Sequence, residues 1–292
     1  MAGGFGKLTE LTPFFPSDWS LAYGRIIDGR VEVVDRLGSG GLFAMASVTK
    51  LFSAVAFHVA IEEEVLKPAE AILSNGATVA EILSHSSGLR ADVIGPGDRN
   101  IPIRDPGVRR VYSNVGFDLL GSLLSGASGM DFGEYLTEAV LRPIRADSAR
   151  LDPSTFPEAG PTGAAAGLWG TVSDLVALVG ALISGPPLAE VSRVSLSTPH
   201  HPEIPGVLPG YGLMDPCPWG QGAEVRGNKS PHWTGTRNSP QTFGHFGRSG
   251  SFLWIDPVNQ VFAGSLSSTA FGPWAVSLWP RLSDAILDHC GV

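Results

Sequence analysis

Two stretches near the N-terminus, Ser20 to Ile27 and Arg30 to Leu37, carry the polar–apolar pattern of strands. Asp28-Gly29 between them suits the positive φ angles of a two-residue turn, so the pair predicts a hairpin. After the glycine cluster Gly38 to Gly41 the period changes. From about Ser47 to Leu66, apolar residues at Leu51, Val55, Phe57, Val59 and Ile61 wrap nearly all round, which predicts a buried helix. Glu62 to Glu64 bring its end towards solvent, and Pro68 follows. Residues 70–205 read as helices joined by loops. Thr78 with Glu81 fits a capping box before Ile82 and Leu83. Leu119, Leu120, Leu123 and Leu124 have helical spacing, as do Leu175, Val176, Leu178 and Val179 behind a cap of Thr171 and Asp174. Pro and Gly clusters at 95–107, 153–163 and 185–187 punctuate these helices.

The last third returns to strands. Phe243 to Ile255 predicts one and Val261 to Leu266 another, with a turn at Asp256 to Asn259 and a closing amphipathic helix over about 274–289. Strands, helices, then strands predict an α/β domain from residues 1–69 and 206–292, interrupted by a mainly helical domain over 70–205.

Composition narrows the function classes. Of 292 residues, 43% are hydrophobic and 16% charged, enough apolar material for a large core. The 37 glycines and 23 prolines make the chain rich in turns and argue against a plain helical bundle. A net charge of -8 disfavours a nucleic-acid partner, which needs a basic face. No run reaches the ~18 apolar residues of a membrane span. The first twenty residues lack the apolar run of a secretory leader, so a soluble, cytoplasmic protein is expected. Cys217 and Cys290 lie too far apart for a zinc motif, and two buried thiols are expected.

The candidate chemistry begins at Lys50, one of four lysines against sixteen arginines. In Ser47-Val48-Thr49-Lys50, serine and lysine three apart at a helix start face the same side. A lysine buried there is pushed towards its neutral form and could take the proton of the Ser47 hydroxyl. The plainer reading is a helix cap followed by a snorkelling lysine. Two further segments weigh against it. In Tyr112-Ser113-Asn114, a phenol held as phenolate beside an ammonium could act as base, and the amide could hold a substrate carbonyl. In His245-Phe246-Gly247, the glycine allows backbone N–H groups to approach a reacting carbonyl.

Together and in this order, the three segments resemble the serine β-lactamase and penicillin-binding-protein superfamily. The branch resembled is that of class C β-lactamases, D-Ala-D-Ala carboxypeptidases and family VIII esterases. Leu83 to Leu89, Tyr112 to Gly121, Gly167 to Leu175 and Phe243 to Pro257 match it as well, and the resemblance covers about residues 20–270. It implies an α+β fold of the β-lactamase/transpeptidase type, an antiparallel sheet flanked by helices plus an inserted helical domain. It also implies Ser47 as acylated nucleophile, with Lys50 and Tyr112 sharing the proton-transfer roles and Asn114 orienting substrate. The N–H groups of Ser47 and Arg248 would form the oxyanion hole. His245 stands where many members have the lysine of a Lys-Thr-Gly triad.

The departures bear on substrate. Phe246 replaces the triad's hydroxyl residue, which normally helps bind a substrate carboxylate. The chain is shorter than most relatives, and the helix that opens the fold is expected to be missing or abbreviated. The resulting expectation is a serine hydrolase acting on small ester or amide molecules, foremost a carboxylesterase. A β-lactamase or D-amino-acid peptidase, an acyltransferase, and a non-catalytic penicillin-recognising module are the alternatives. No cofactor and no metal are expected, and the oligomeric state stays open. His85 reads as structural. His200-His201 lacks a third ligand at helical spacing, and no Gly-x-Ser-x-Gly elbow occurs. Trp169, Trp219, Trp233 and Trp254 read as core residues with an acyl pocket as the other possibility, and Arg237 and Arg248 as candidate anion binders.

Overall fold

The protein is described by a computed structural model covering Leu8, residues 10–93 and residues 100–292. The expected abbreviation of the opening helix and part of the 95–107 cluster fall outside the described residues.

Strand β1 (Trp19–Ile27) and strand β2 (Arg30–Gly38) form the expected hairpin. Asp28 and Gly29 both take positive φ, at 49° and 72°, as a turn matched to the strand twist requires. The rest of the sheet comes from the other end of the chain: β8 (Glu224–Val225), β9 (Phe243–Gly247), β10 (Ser251–Asp256) and β11 (Val261–Ser267). Its order is β2-β1-β11-β10-β9-β8, with every pairing antiparallel.

The single strand expected over Phe243 to Ile255 is two strands. Gly250, at φ 79°, closes a tight turn there, and a Cβ on it would sit 2.1 Å from the Thr269 carbonyl. Glycine is required at both levels, conformation and space.

Strands β10 and β11 are buried on both faces. Their side chains and those of β1 alternate between two cores. Ala22, Ile26, Leu253, Ile255, Phe262 and Leu266 join the cluster that includes Phe52, Phe57 and Leu175. Leu21, Tyr23, Phe252, Trp254, Val261 and Ala263 join the one built on Trp279, Leu282 and Ile286. A sheet covered on both sides needs apolar residues at successive positions, which hides the two-residue period.

Helix α1 (Thr49–Glu62) is buried from Thr49 to Ala60, as the all-round apolar pattern requires. It ends before Leu66, because Glu64 takes φ 59° and both Val65 and Leu66 N–H return to the Ala60 carbonyl. The predicted capping box forms ahead of α2 (Val79–Leu83), and the predicted cap of Thr171 and Asp174 takes the same form ahead of α6 (Val172–Ile183). Between them run α3 (Asn114–Ser128), α4 (Phe132–Leu136) and α5 (Arg142–Ile144). The short α7 (Glu190–Ser197) follows, and α8 (Pro273–His289) closes the chain.

A small sheet joins β3 (Phe43–Ala44), ahead of α1, to β5 (Leu168–Gly170) and β4 (Arg150–Leu151) in the helical stretch. Strands of two or three residues carry no readable period. The pair β6 (Gly206–Leu208) and β7 (Gly212–Met214) is equally short. Cys217 and Cys290 are free and buried. Among the described residues no helix is long and apolar enough to cross a membrane.

Candidate active site

Ser47 lies on a 3₁₀ turn, Ala46–Val48, that leads directly into α1. Ala46 takes φ 46°, a left-handed step that a residue with a Cβ rarely adopts. Strand β9 presses on this turn. A Cβ on Gly247 would lie 2.7 Å from the Met45 carbonyl oxygen and 3.0 Å from the Ser47 nitrogen. Glycine is what allows the strand backbone so close to the serine.

One turn into α1, Lys50 is fully buried. Its Nζ donates to Asn114 Oδ1 at 2.6 Å and to the Ala165 carbonyl at 2.8 Å, and lies 3.5 Å from Ser47 Oγ. The rings of Tyr112 and Phe117 lie 4.7 and 5.5 Å from it. Burial pushes Lys50 well below the ordinary lysine range. The Asp92 charge opposes that and the Arg248 charge adds to it.

Tyr112 is half-buried with its hydroxyl enclosed. Burial raises its pKa, and the Ser47 side chain offsets only part of the rise. Among the described residues no group completes a hydrogen bond of ordinary geometry to that hydroxyl. Both members of the pair are therefore driven to their uncharged forms. That differs from the phenolate–ammonium pairing expected from the sequence, because burial disfavours either charge.

Asn114 opens α3 behind Ser113, whose Oγ caps the helix by accepting from the Gly116 N–H at 3.0 Å. One N–H of the Asn114 amide is held by Asp92 Oδ1 at 2.7 Å. His245 comes from β9, with burial pushing its pKa down to about 3. Its Nδ1 bonds the Phe246 carbonyl at 2.7 Å, which places the proton on Nδ1 and leaves Nε2 as an acceptor.

These side chains open on one cavity of ≈ 280 Å³, lined by Ser47, Tyr112, Asn114, His245, Phe246 and Arg248. Phe246 stands in an aromatic cluster, with ring centroids of Phe271, Trp233, Trp279 and Tyr211 at 5.1, 5.6, 5.8 and 6.1 Å. Trp219 forms another wall, its ring 5.4 Å from His245 and 5.8 Å from Tyr112. Arg248 at the mouth is paired with Glu158.

Sequence reasoning missed Asp92, Glu158 and Glu224, which also line the cavity. No local motif marks them. Glu224 is buried with Lys229, and accepts from the Trp233 indole as well. His232 Nε2 lies 2.9 Å from the same carboxylate.

The remaining candidates fall elsewhere. His85 is buried against Tyr112 and Trp219, and its Nδ1 accepts the Ser113 N–H at 3.1 Å. It is a structural residue behind the site. Trp233 and Trp254 are buried in the core, while Trp169 bonds Thr155 away from the cavity. Arg237 pairs with Asp288. The fold brings Glu81 to His200 and His201, a third potential ligand that helical spacing could not reveal. None of those three lines the cavity.

An antiparallel sheet packed between helices, with a Ser-x-x-Lys turn against one inner strand, defines the class of the serine β-lactamases and penicillin-binding proteins. The family model described as Beta-lactamase matches residues 26–286, and the chain belongs to that family of serine hydrolases. The solved structure of a beta-lactamase from Mycobacterium bovis is 38% identical, with a TM-score of 0.88 over 98% of this chain and 100% of that one. EstCE1, a hydrolase with promiscuous acyltransferase activity, shares the fold at 17% identity, with a TM-score of 0.72 over 97% of each chain. Among curated proteins, the "Putative D-alanyl-D-alanine carboxypeptidase" of Escherichia coli O157:H7 is 23% identical over 251 residues, 71% of this chain. The chain spans only 55% of that relative's length.

Proposed function

We propose that the protein is a carboxylesterase that hydrolyses small, uncharged acyl esters through an acyl-enzyme on Ser47. In this reading, Lys50 as a neutral amine spends its two N–H groups on Asn114 and the Ala165 carbonyl. Its lone pair then remains for the Ser47 hydroxyl proton. Ser47 Oγ attacks the ester carbonyl, Lys50 takes the proton, and the oxyanion faces the N–H groups of Ser47 and Arg248. Tyr112, uncharged and beside Ser47, passes a proton to the departing alkoxide. Water then attacks the acyl group by the reverse relay, and the acid leaves. Asn114 keeps a second N–H for the substrate carbonyl.

One observation carries the choice of ester over carboxylate-bearing substrate. The cation at the cavity mouth, Arg248, is already neutralised by Glu158, and Phe246 supplies an aromatic face where the family usually has a hydroxyl. A β-lactam or D-Ala peptide carboxylate entering here loses hydration, finds Arg248 already paired, and meets an aromatic face in place of the usual hydroxyl donor. The cavity volume, just under the usual ~300–1,000 Å³ range for ligand sites, suits a short acyl chain.

The test compares p-nitrophenyl butyrate with nitrocefin on wild type, Ser47→Ala and Glu158→Gln. Wild type is expected to prefer the ester in kcat/KM and to give a transient Ser47 adduct by mass spectrometry. Ser47→Ala should lose at least ~10³-fold in turnover while keeping its fold. Glu158→Gln frees Arg248 and should shift the ratio towards nitrocefin by roughly tenfold, about 1.4 kcal/mol. A wild type that prefers nitrocefin replaces the esterase reading with a β-lactamase.

A further inference from the structure

We propose that Glu81, His200 and His201 form a zinc site outside the active-site cavity, which clamps together the segments that build its aromatic wall. His200 Nε2 lies 3.6 Å and His201 Nε2 3.5 Å from the same oxygen, Glu81 Oε1. The ligand atoms of the three residues all fall within 4.8 Å of one another. Both Nε2 atoms are shielded from solvent, and neither completes a hydrogen bond within the protein. Separations of 3.5 and 3.6 Å are too long for a hydrogen bond, which centres near ~2.9 Å. They approach the spacing across an ion: two ligands each ~2.0–2.1 Å from a tetrahedral zinc stand roughly 3.4 Å apart. An ion at the centre would serve both orphaned nitrogens and the carboxylate at once.

The ligands are held as a metal site requires. The other Glu81 oxygen accepts from the Thr78 N–H at 2.8 Å and from the Thr78 hydroxyl, leaving Oε1 to face the imidazoles. Consecutive side chains on extended backbone diverge. Here His201 takes φ 49°, and the two rings meet edge to face with centroids 4.5 Å apart. Arg110 Nη2 fixes this turn by donating to the His200 carbonyl at 2.8 Å and the His201 carbonyl at 2.9 Å. Gly107 leaves room for the His201 ring, since a Cβ there would come within 3.0 Å of it. Two imidazoles and one carboxylate favour zinc, or cobalt in its place, over the oxygen-seeking magnesium and calcium. Three protein ligands leave a fourth position for water.

The same Arg110 side chain also donates to the Ser84 and Cys217 carbonyls. One residue beyond Ser84 is His85, two beyond Arg110 is Tyr112, and two beyond Cys217 is Trp219. Those three rings pack on one another with centroids 4.7 to 5.8 Å apart. The ion would lock the backbone from which this wall projects. The site stands independently of the reaction at Ser47.

The experiment uses the untagged full chain, stripped with a chelator and dialysed. Calorimetric titration with zinc chloride should give one saturable equivalent with a Kd of micromolar or below, and zinc should raise Tm. Cobalt(II) should produce the intense visible bands of a four-coordinate ion. His200→Ala and His201→Ala should each weaken binding at least tenfold, and Ser47→Ala should leave it unchanged. No saturable zinc binding by wild type, or cobalt showing only its weak aquo spectrum, overturns the proposal even if the histidine variants fail to fold. So does full affinity in a folded His200→Ala/His201→Ala double variant.

Discussion

At Lys50 two opposing effects can be weighed. Three oxygens surround its Nζ, which would suit an ammonium, yet the side chain is wholly removed from water. Two of those oxygens are carbonyls at hydrogen-bond distance, and the third, Ser47 Oγ, is the loosest contact at 3.5 Å. A neutral amine satisfies both carbonyls and meets the serine with its lone pair, so burial costs no hydrogen bond. The direction of the Lys50 shift agrees, with burial its leading cause. A base with a lowered pKa is ready below the ordinary lysine range. The expected kcat/KM profile for a neutral ester therefore rises along one acidic limb. It then stays flat through the alkaline range, because the raised Tyr112 pKa keeps the phenol protonated. Lys50→Arg should abolish this limb with most of the activity, since a guanidinium cannot give up its proton. A profile still climbing at pH 10 would mean that Lys50 is an ordinary ammonium and not the base.

At the scale of elements, the decisive contact is β9 against the Ser47 turn. Gly247→Ala inserts a methyl 2.7 Å from a backbone oxygen and 3.0 Å from the Ser47 nitrogen, and neither neighbour is a flexible side chain. The strand or the turn must move, which spoils the oxyanion geometry. A fall in kcat of ~10²-fold is expected, the scale of a lost oxyanion donor. Gly180→Ala in α6 is the control, because a Cβ there meets nothing within 4 Å, and the helix should gain ~0.5–1 kcal/mol. Equal activity in the two variants would show that the close approach has no part in the reaction. Such contacts divide what could be read from the sequence from what could not. The hairpin turn at Asp28-Gly29, the capping boxes at Thr78 and Thr171, and the all-round burial of α1 depend on neighbours within a few residues, and were legible. The break at Gly250 is marked locally by Gly247-Arg248-Ser249-Gly250, but the family pattern runs from Phe243 to Pro257 without a gap and masks the turn. The Ser47, Tyr112 and His245 segments were legible through a family pattern, whereas the Ala165 carbonyl that positions Lys50 is backbone and leaves no mark on residue type. Asp92 and Glu158 meet their partners only through tertiary contacts, and so does Glu81 the imidazoles of His200 and His201, although its bond to Thr78 is local.

For the molecule as a whole, burial of titratable groups sets the response to acid. His58, His85, His232 and His245 are all buried, and for each of them burial is the leading cause of a lowered pKa. An unfolded chain protonates these rings near pH ~6.5, but the native state resists doing so. Below that pH the unfolded state binds more protons, so stability must fall as the pH falls. Each fully resistant histidine costs at most ~1.4 kcal/mol per pH unit, and four together up to roughly 5 kcal/mol per unit. Glu224 acts in the same direction at lower pH. Burial alone would raise its carboxyl, but the Lys229 charge and the hydrogen bonds from Lys229 and His232 outweigh that and hold it below the ordinary range. Its contribution is present above the unfolded carboxyl value and is lost as the pH falls through the folded one. Set against a typical total of ~5–15 kcal/mol, these losses should unfold the protein at mildly acidic pH, around ~4–5, well above its most depressed carboxylate. Urea unfolding at pH 7.5, 6.5 and 5.5 tests this directly. The second step should lose at least ~2 kcal/mol and the first about a third as much, with the slope reduced in His58→Gln. A stability that stays level down to pH 5.5 would mean that the histidine rings titrate in the folded protein, and that the enclosure of the Lys50 and His245 surroundings is looser than the packing implies.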